Sequence, residues 1–284
     1  MDAIRTTIRN KHALEHGTRR AFTLRFPFFL PVVLFAKRLI RNLHVLATGP
    51  FSKKIYSDFF PNVVTRHSSP LFRKLGDSDP HLHEGKIQNL TIALKKLDGL
   101  IIPPGCKFSF WHALGNPTKK KGYTTGMLLS DGKVVEGIGG GLCQLSNLLY
   151  WMFLHTPVRT IERKHHSRDA FPDNRRTIPF GSGATVFYNL IDLKIHNTTP
   201  YPLQLHLWLT ENQLKGQTLS THQFKEKYHL YEKNSLFAEI KNTVYRYNEL
   251  WRDTLVHGEK IKEEKITTNC AKVLYTPNNV DIAL

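Results

Sequence analysis

The segment from residue 136 to residue 157 constrains the fold more than any other part of the sequence, because three consecutive glycines precede a cysteine and an almost wholly apolar run. Within this run, apolar side chains recur at the spacing of one helical face: Leu145, Leu148, Leu149 and Met152. The glycines at 139–141 permit positive φ angles and close approach of the backbone to its neighbours. The pattern therefore predicts a sharp turn into a buried helix that begins near Leu142 and is bounded by Pro157.

This prediction places Cys143 in the first turn of the helix, which has a chemical consequence. Free N–H groups and the positive end of the helix dipole stabilise a thiolate and lower the pKa of a cysteine. The backbone N–H groups around Gly140 and Gly141 and the side-chain amide of Gln144 are candidate donors to an oxyanion. The pattern suits a cysteine nucleophile for acyl transfer, and it equally suits a buried cysteine of the core.

A thiol nucleophile also needs a base, and two adjacent histidines follow the predicted helix. His165 and His166 lie in the segment "ERKHHSRD", among charged residues. A cysteine on a helix with a histidine on a later strand is compatible with a papain-like arrangement. Spacing alone does not bring either ring to Cys143, so both the catalytic and the structural interpretation stay open here.

The other two cysteines, Cys106 and Cys270, lack a comparable setting and are predicted to be structural. A sparse set of three cysteines favours free thiols in a reducing compartment over a disulfide framework. No two of the three have the spacing of metal ligands, so we predict neither a metal site nor a cofactor.

The rest of the chain predicts a mixture of helices and short strands. Residues 87–97 have apolar side chains at helical spacing and end at Gly99, whereas residues 100–111 indicate a strand, a turn and a second strand. Strands are also predicted at 185–197 and 201–209, the latter with leucines at every second position. Residues 216–284 add further β-like pieces. The predicted fold class is α+β, with antiparallel strands packed with a few helices and Cys143 at the N-terminus of a central helix.

Charge and an apolar N-terminal segment limit the partners. The sequence has 40 Lys and Arg against 23 Asp and Glu, a net charge of +17, which favours an anionic partner. No zinc-finger or RNP-type pattern occurs, so nucleic acid is not predicted. The apolar residues 26–36, flanked by Arg25, Lys37 and Arg38, are too few to span a bilayer and contain two prolines. This segment is predicted either to pack in the core or an interface, or to lie on an anionic membrane surface.

Four motifs, in this order, resemble the VanW family: "PPGCKFSFW", "GGGLCQLSNLLYWMFLHTP", "ERKHHS" and "GATVFYNLIDLKIHN". The resemblance extends over residues 86–215. It implies bacterial cell-envelope biology, with a link to peptidoglycan metabolism or glycopeptide resistance. Some VanW domains are thought to act as cysteine-dependent L,D-transpeptidases, which implies Cys143 as nucleophile and His166 as its histidine. Ser146 and Arg163, within the same motifs, join Gly140, Gly141 and Gln144 as candidate oxyanion and substrate-binding residues.

One position departs from the family pattern. The family commonly has an aspartate in the motif where this sequence reads "GSGATV", so that Gly183 stands in its place, whereas Asp192 is retained downstream. If the aspartate orients the histidine or a substrate amine, its replacement removes a member of the catalytic set. The alternative to acyl transfer is therefore a non-catalytic binding or scaffold module for anionic peptidoglycan precursors or a membrane surface.

The resemblance also divides the chain and suggests where it works. Residues 1–68 form a basic, helix-prone N-terminal region, residues 69–215 a VanW-like domain, and residues 216–284 a C-terminal β-rich extension. The predicted partner is a peptidoglycan stem peptide or its precursor. Because no secretion signal is evident, we expect a cytoplasmic protein, peripheral at the inner face of the membrane, that meets lipid-linked or nucleotide-linked muropeptides; their negative charge would suit a basic surface.

Overall fold

The computed structural model describes residues 2–16, 26–47, 50–52, 54–72, 80–130, 132–170, 172 and 177–284. The described helices all precede residue 155: α1 (Asp2–His16), a 3-10 turn (Pro27–Phe29), α2 (Leu30–Ala47), α3 (Pro80–Leu97), α4 (Phe110–Leu114), a second 3-10 turn (Lys119–Lys121) and α5 (Leu142–Leu154).

The strands up to residue 220 are short, the next three are long, and the last is short. They are β1 (Asn62–Pro70), β2 (Ile101–Ile102), β3 (Lys107–Ser109), β4 (Thr125–Ser130), β5 (Lys133–Ile138), β6 (Arg159–Glu162), β7 (Arg168–Asp169), β8 (Lys194–His196), β9 (Leu203–Leu209), β10 (Gln213–Ser220), β11 (Glu226–Ile240), β12 (Thr243–Val256), β13 (Glu259–Val273) and β14 (Ile282–Ala283).

The described strands form sheets that are mostly antiparallel, which confirms the α+β class. One sheet has the order β1-β10-β9-β2, a second β14-β11-β12-β13-β7, a third β3-β8-β6, and β4 pairs with β5 as a hairpin. Two short pairings, β11 with β14 and β13 with β7, are parallel. The predicted strand at 201–209 is β9, but Gln204 is fully buried beside the leucines because its side chain binds the backbone of Asp58 and Phe60.

The main core lies between α5 and the sheet that contains β1 and β10. The buried leucines of α5, with Met152 and Phe153, share this core with Leu205, Leu207 and Leu214 of the sheet. Gly216 in β10 permits this packing, because a side chain there would overlap Leu148, whose Cδ2 lies 2.8 Å from the position of a Cβ atom. The core therefore fixes α5, and with it the turn before Cys143.

A second, smaller core joins the N-terminus to the long strands. Ile4 and Ile8 of α1 are buried against Ala238, Tyr245 and Cys270. Glu15 accepts a hydrogen bond from the Tyr245 hydroxyl at 3.0 Å. The domain boundaries at 68/69 and 215/216 stay predictions; β1 and β10, which straddle them, pair with each other from Asn62 to Pro70.

Two elements differ from their predicted bounds. Helix α3 begins at Pro80, seven residues before the predicted start at Ile87, which is consistent with the preference of proline for the first turn of a helix. The predicted strand at 185–197 is interrupted by a tight turn in which Phe187 pairs with Ile191 and Asn189 has a φ of 52°. In the second half of the predicted strand, only β8 is a strand.

Candidate functional site

The glycines before Cys143 bring three pieces of backbone into direct contact. A Cβ atom on Gly140 would overlap the carbonyl group of Gly126 in β4 and would lie 2.5 Å from the nitrogen of Met127. A Cβ atom on Gly126 would in turn lie 3.1 Å from the carbonyl oxygen of Gly140 and 3.1 Å from the nitrogen of Lys86 in α3. Gly141 has a φ of 97°, a left-handed conformation that favours glycine. The glycines therefore serve a close contact between the turn, β4 and α3.

The N–H groups of this turn are hydrogen-bonded within the fold. Gly139 donates to the carbonyl of Thr124 at 3.1 Å, Gly140 to Gly137 at 3.2 Å and Gly141 to Met127 at 3.0 Å. At the start of α5, the N–H of Leu142 donates to Gly139 and that of Gln144 to Gly141. The N–H groups predicted at Gly140 and Gly141 as oxyanion donors thus already have partners.

Cys143 is the second residue of α5 and is partly exposed. Its Sγ atom donates a hydrogen bond to the carbonyl of Val186 at 3.6 Å, and its side chain packs against the main core. Burial raises the pKa of the Cys143 thiol. A thiol can donate to the Val186 carbonyl whereas a thiolate cannot, so this surrounding favours the protonated form.

Gln144 reaches away from the thiol toward the end of β1. Its Nε2 atom donates to the Ser69 hydroxyl at 2.9 Å and to the Pro70 carbonyl at 2.8 Å. The buried Lys86 also reaches this end of β1, because its Nζ atom donates to the carbonyl of Leu71. Both side chains tie β1 to the turn, and the amide of Gln144 is engaged there.

Ser146 and Asn147 tie α5 to the chain segment 183–187. The buried Ser146 hydroxyl donates to the carbonyl of Ala184 at 2.6 Å, and the Asn147 Oδ1 atom accepts the N–H of Ala184 at 2.7 Å. A Cβ atom on Gly183 would lie 2.7 Å from the same Oδ1 atom. The space that a side chain at Gly183 would enter is thus filled by the side chain of Asn147.

Arg163 holds the loop that precedes this segment. Its guanidinium donates to the carbonyls of Gly181 and Gly183, the latter at 2.8 Å, and to the Asn269 Oδ1 atom at 3.3 Å. It also lies over the ring of Tyr150 in α5, 5.0 Å from the ring centroid. The guanidinium of Arg163, predicted to bind substrate, is therefore hydrogen-bonded to acceptors of the protein itself.

His165 and His166 lie in the segment between β6 and β7. Lys164, immediately before them, pairs with Thr185 in an antiparallel bridge, whereas Cys143 binds the next residue, Val186. Burial lowers the pKa of His165 to about 4, and burial together with Arg163 lowers the pKa of His166. Within the described part of the chain, no hydrogen bond joins Cys143 to a histidine.

The buried Asp192 binds backbone N–H groups and a serine hydroxyl rather than a histidine ring. Its carboxylate accepts the Ser109 hydroxyl at 2.6 Å, the N–H of Trp111 at 3.2 Å and the N–H of Leu193 at 2.9 Å. Burial raises the pKa of Asp192. This residue joins the start of α4 to β8.

Sequence reasoning missed Asn89, which organises the turn from the middle of α3. The fully buried side chain of Asn89 donates to the carbonyls of Thr124 and Gly140 and accepts the N–H of Thr124. Asn89 lies between Gln88 and Leu90 of the predicted helix, so only its polarity next to apolar positions signalled a buried role.

A cationic cavity opens beside the C-terminal end of α3. It has a volume of about 370 Å³ and is lined by Ile55, Lys95, Lys96, Leu100, His112, Ala113, Leu114 and Gly115. The Lys96 Nζ atom donates to the Leu114 carbonyl at 2.8 Å, and burial and then the nearby Lys121 lower the pKa of Lys96. No carboxylate is among these lining residues, so the positive charge of the cavity is not compensated by its own wall.

Comparison with known proteins gives related sequences for most of the chain. The family model described as "VanW like protein" matches residues 85–219. The chain is 31% identical over 268 residues to the Vancomycin B-type resistance protein VanW of Enterococcus faecalis, which covers 93% of this chain and 98% of that protein. It is 27% identical over 150 residues to the uncharacterized protein YoaR of Bacillus subtilis, 53% of this chain and 46% of that one. No solved structure matches the chain significantly.

Proposed function

Because the chain belongs to the VanW family, whose Enterococcus faecalis relative is named a vancomycin B-type resistance protein, we propose that it supports glycopeptide resistance by binding an anionic peptidoglycan precursor without forming a covalent bond to it. The observation that carries this proposal is the state of the predicted catalytic groups. The Cys143 thiol, the N–H groups of Gly140 and Gly141, and the amide of Gln144 are all hydrogen-bonded inside the fold.

The raised pKa of Cys143 supports the same conclusion. Acyl transfer by a cysteine requires a thiolate and a base within hydrogen-bond distance. Burial favours the thiol, and among the described hydrogen bonds none joins Cys143 to His165 or His166; the His165 ring binds the His166 carbonyl instead. The buried hydrogen bonds of the motif then explain its residues as structural: Gln144 fastens β1, and Ser146 and Arg163 fasten the loop at 181–184.

The cavity beside α3 is the site that suits such a ligand. Stem-peptide precursors carry carboxylates, and their lipid-linked and nucleotide-linked forms carry phosphates. Lys95 and Lys96 supply positive charge at the cavity, and Ile55, Leu100 and Leu114 supply apolar wall. A cavity of about 370 Å³ accepts a headgroup-sized portion of such a molecule.

Calorimetry of the full chain with a UDP-linked muramyl pentapeptide tests the proposal. We expect the variant Lys95→Gln/Lys96→Gln to bind roughly tenfold or more weakly, because two charge-assisted contacts are removed. Lys225→Gln/Lys227→Gln removes the same charge from two exposed positions and is the matched control. Equal binding by the two double variants, or a covalent adduct on Cys143 seen by intact mass, contradicts the proposal.

Acyl transfer remains the second candidate, and its supporting observation is the position of Cys143 in the first turn of α5 with part of its side chain exposed. The pH dependence of iodoacetamide labelling at Cys143 separates the two functions. We expect the labelling rate to keep rising through the usual thiol range and beyond. A plateau well below that range, with turnover of muropeptides that Cys143→Ala abolishes, would establish the enzyme.

A further inference from the structure

The N-terminal region presents a row of exposed apolar side chains to the outside of the molecule. Phe28 is 70% exposed, Val32 62%, Phe35 68% and Leu39 49%. These four residues, here termed the apolar face, recur every three or four positions through the 3-10 turn and α2, so they share one side of the helix. A soluble surface seldom exposes such a continuous row of large side chains without a partner.

Helix α2 makes little contact with the rest of the described fold. The turn Pro27–Phe29 packs against it, and no other described helix or strand packs against it extensively. By contrast, α1 buries Ile4 and Ile8 against β11–β13. Neither of the two cores formed by the described residues contains a residue of α2.

The charge around α2 indicates the class of surface that covers it. Between Glu15 and Asp58 the sequence contains no Asp or Glu, whereas Arg25, Lys37, Arg38 and Arg41 flank or interrupt the apolar residues. Lys37 is exposed, and its helical position lies opposite the apolar face. A second copy of this chain would bring the same positive charges together, which is unfavourable, whereas an anionic lipid surface supplies the opposite charge.

We propose that the turn Pro27–Phe29 and helix α2 lie flat in the interface of an anionic lipid bilayer, with the apolar face in the acyl region and Lys37 toward the headgroups. Among the described helices, none is long and apolar enough to cross a membrane, and α2 has the composition of a helix that lies along one. The proposal is independent of the ligand in the cavity. It places the protein beside lipid-linked precursors.

Flotation of the full chain with vesicles tests the proposal. The vesicles contain either equal parts of phosphatidylglycerol and phosphatidylcholine, or phosphatidylcholine alone. We expect binding to the anionic vesicles, weakened by salt. Phe28→Ser/Phe35→Ser should lower the partition coefficient roughly tenfold or more, since two large apolar groups lose their burial. Lys37→Gln should lower it about fivefold on anionic vesicles only.

The matched control is Leu14→Ser/Ile261→Ser, which removes two apolar side chains of similar exposure, 83% and 61%, outside α2. All four positions are exposed, so each variant should keep the circular dichroism spectrum and melting temperature of the wild type. An equal loss of binding in the two double variants overturns the proposal. The proposal is also overturned if the wild-type chain does not bind vesicles and instead self-associates with rising concentration, and if Phe28→Ser/Phe35→Ser abolishes that association. Such a result identifies a second copy of the chain as the partner.

Discussion

Replacement of Gly140 by alanine tests whether the glycines before Cys143 serve packing or catalysis. The added methyl group would overlap the carbonyl group of Gly126 and lie 2.5 Å from the nitrogen of Met127, where an ordinary contact is 3.4 Å or more. Backbone must therefore move by at least about 0.9 Å, and overpacking of this kind costs about 2 kcal/mol. The movement also disturbs the hydrogen bonds from Asn89 to Gly140 and from Gly141 to Met127, each worth about 1 kcal/mol.

We therefore expect Gly140→Ala to lower the free energy of unfolding by about 4 kcal/mol. Gly105→Ala is the control, because its Cβ atom meets nothing within 4 Å and only its φ of 72° opposes the substitution. That conformation costs an alanine about 1 kcal/mol, and both variants restrict the unfolded chain equally. The difference between them, about 3 kcal/mol, isolates the contact with β4.

Urea denaturation followed by fluorescence and circular dichroism measures both free energies, with the slope m as a check that unfolding stays two-state. If the two variants differ by less than about 1 kcal/mol, the turn is not fastened to β4 as described. The N–H group of Gly141, which donates to Met127 of β4, would then be available to a ligand, and the case for acyl transfer would regain one oxyanion donor.

Three further predictions concern the surroundings of the turn. His165 has a pKa of about 4 in the fold against 6.5 in the unfolded chain, so the unfolded chain binds a proton more readily. The free energy of unfolding should therefore fall as the pH drops from 6.5 to 4, by at most about 1.4 kcal/mol per pH unit. The free energy of unfolding should depend less steeply on pH in His165→Asn than in the wild type. In the control, His257→Asn at an exposed position, the slope should equal that of the wild type. Gly183→Asp should lower the free energy of unfolding by about 2 kcal/mol, because its Cβ atom meets the Asn147 Oδ1 atom. In chemical denaturation, the added substitution Asn147→Ser should restore part of this loss. A loss that Asn147→Ser leaves unchanged refutes the contact. Arg163→Met should cost about 3 kcal/mol and speed amide exchange at 181–184, because the carbonyls of that loop lose their donors; unchanged exchange there contradicts this role.

Local sequence patterns were sufficient for the elements that carry their own signal. The leucines of α5 repeat at helical spacing and those of β9 at strand spacing, since each element buries one face along its whole length. The same reasoning failed at 185–197, where apolar residues continue through a tight turn at Asn189. Apolar content there reflects burial by other elements rather than the conformation of the segment itself.

The contacts of the candidate site could not be predicted in this way, because each joins residues far apart in the chain. Asn89 binds Gly140 across 51 positions, and Gln144 binds Ser69 across 75. Nothing in the local sequence of Gly140 distinguishes an N–H group that faces a ligand from one that donates to Gly137. The glycines were sufficient to predict the turn. Whether its N–H groups can bind a ligand depends on residues that are distant in the sequence.

The position of Cys143 illustrates how two effects of opposite sign compete at one sulfur atom. The positive end of a helix stabilises a negative charge by about 0.3–1 kcal/mol, less than one pKa unit. Removal of an unpaired anion from water costs several kcal/mol, and the lone pairs of the Val186 carbonyl face the sulfur and oppose a thiolate further. The second effect is larger, so the pKa is raised although the residue stands in the first turn of α5. A nucleophilic Cys143 would therefore have to give up its hydrogen bond to the Val186 carbonyl and turn its sulfur toward solvent.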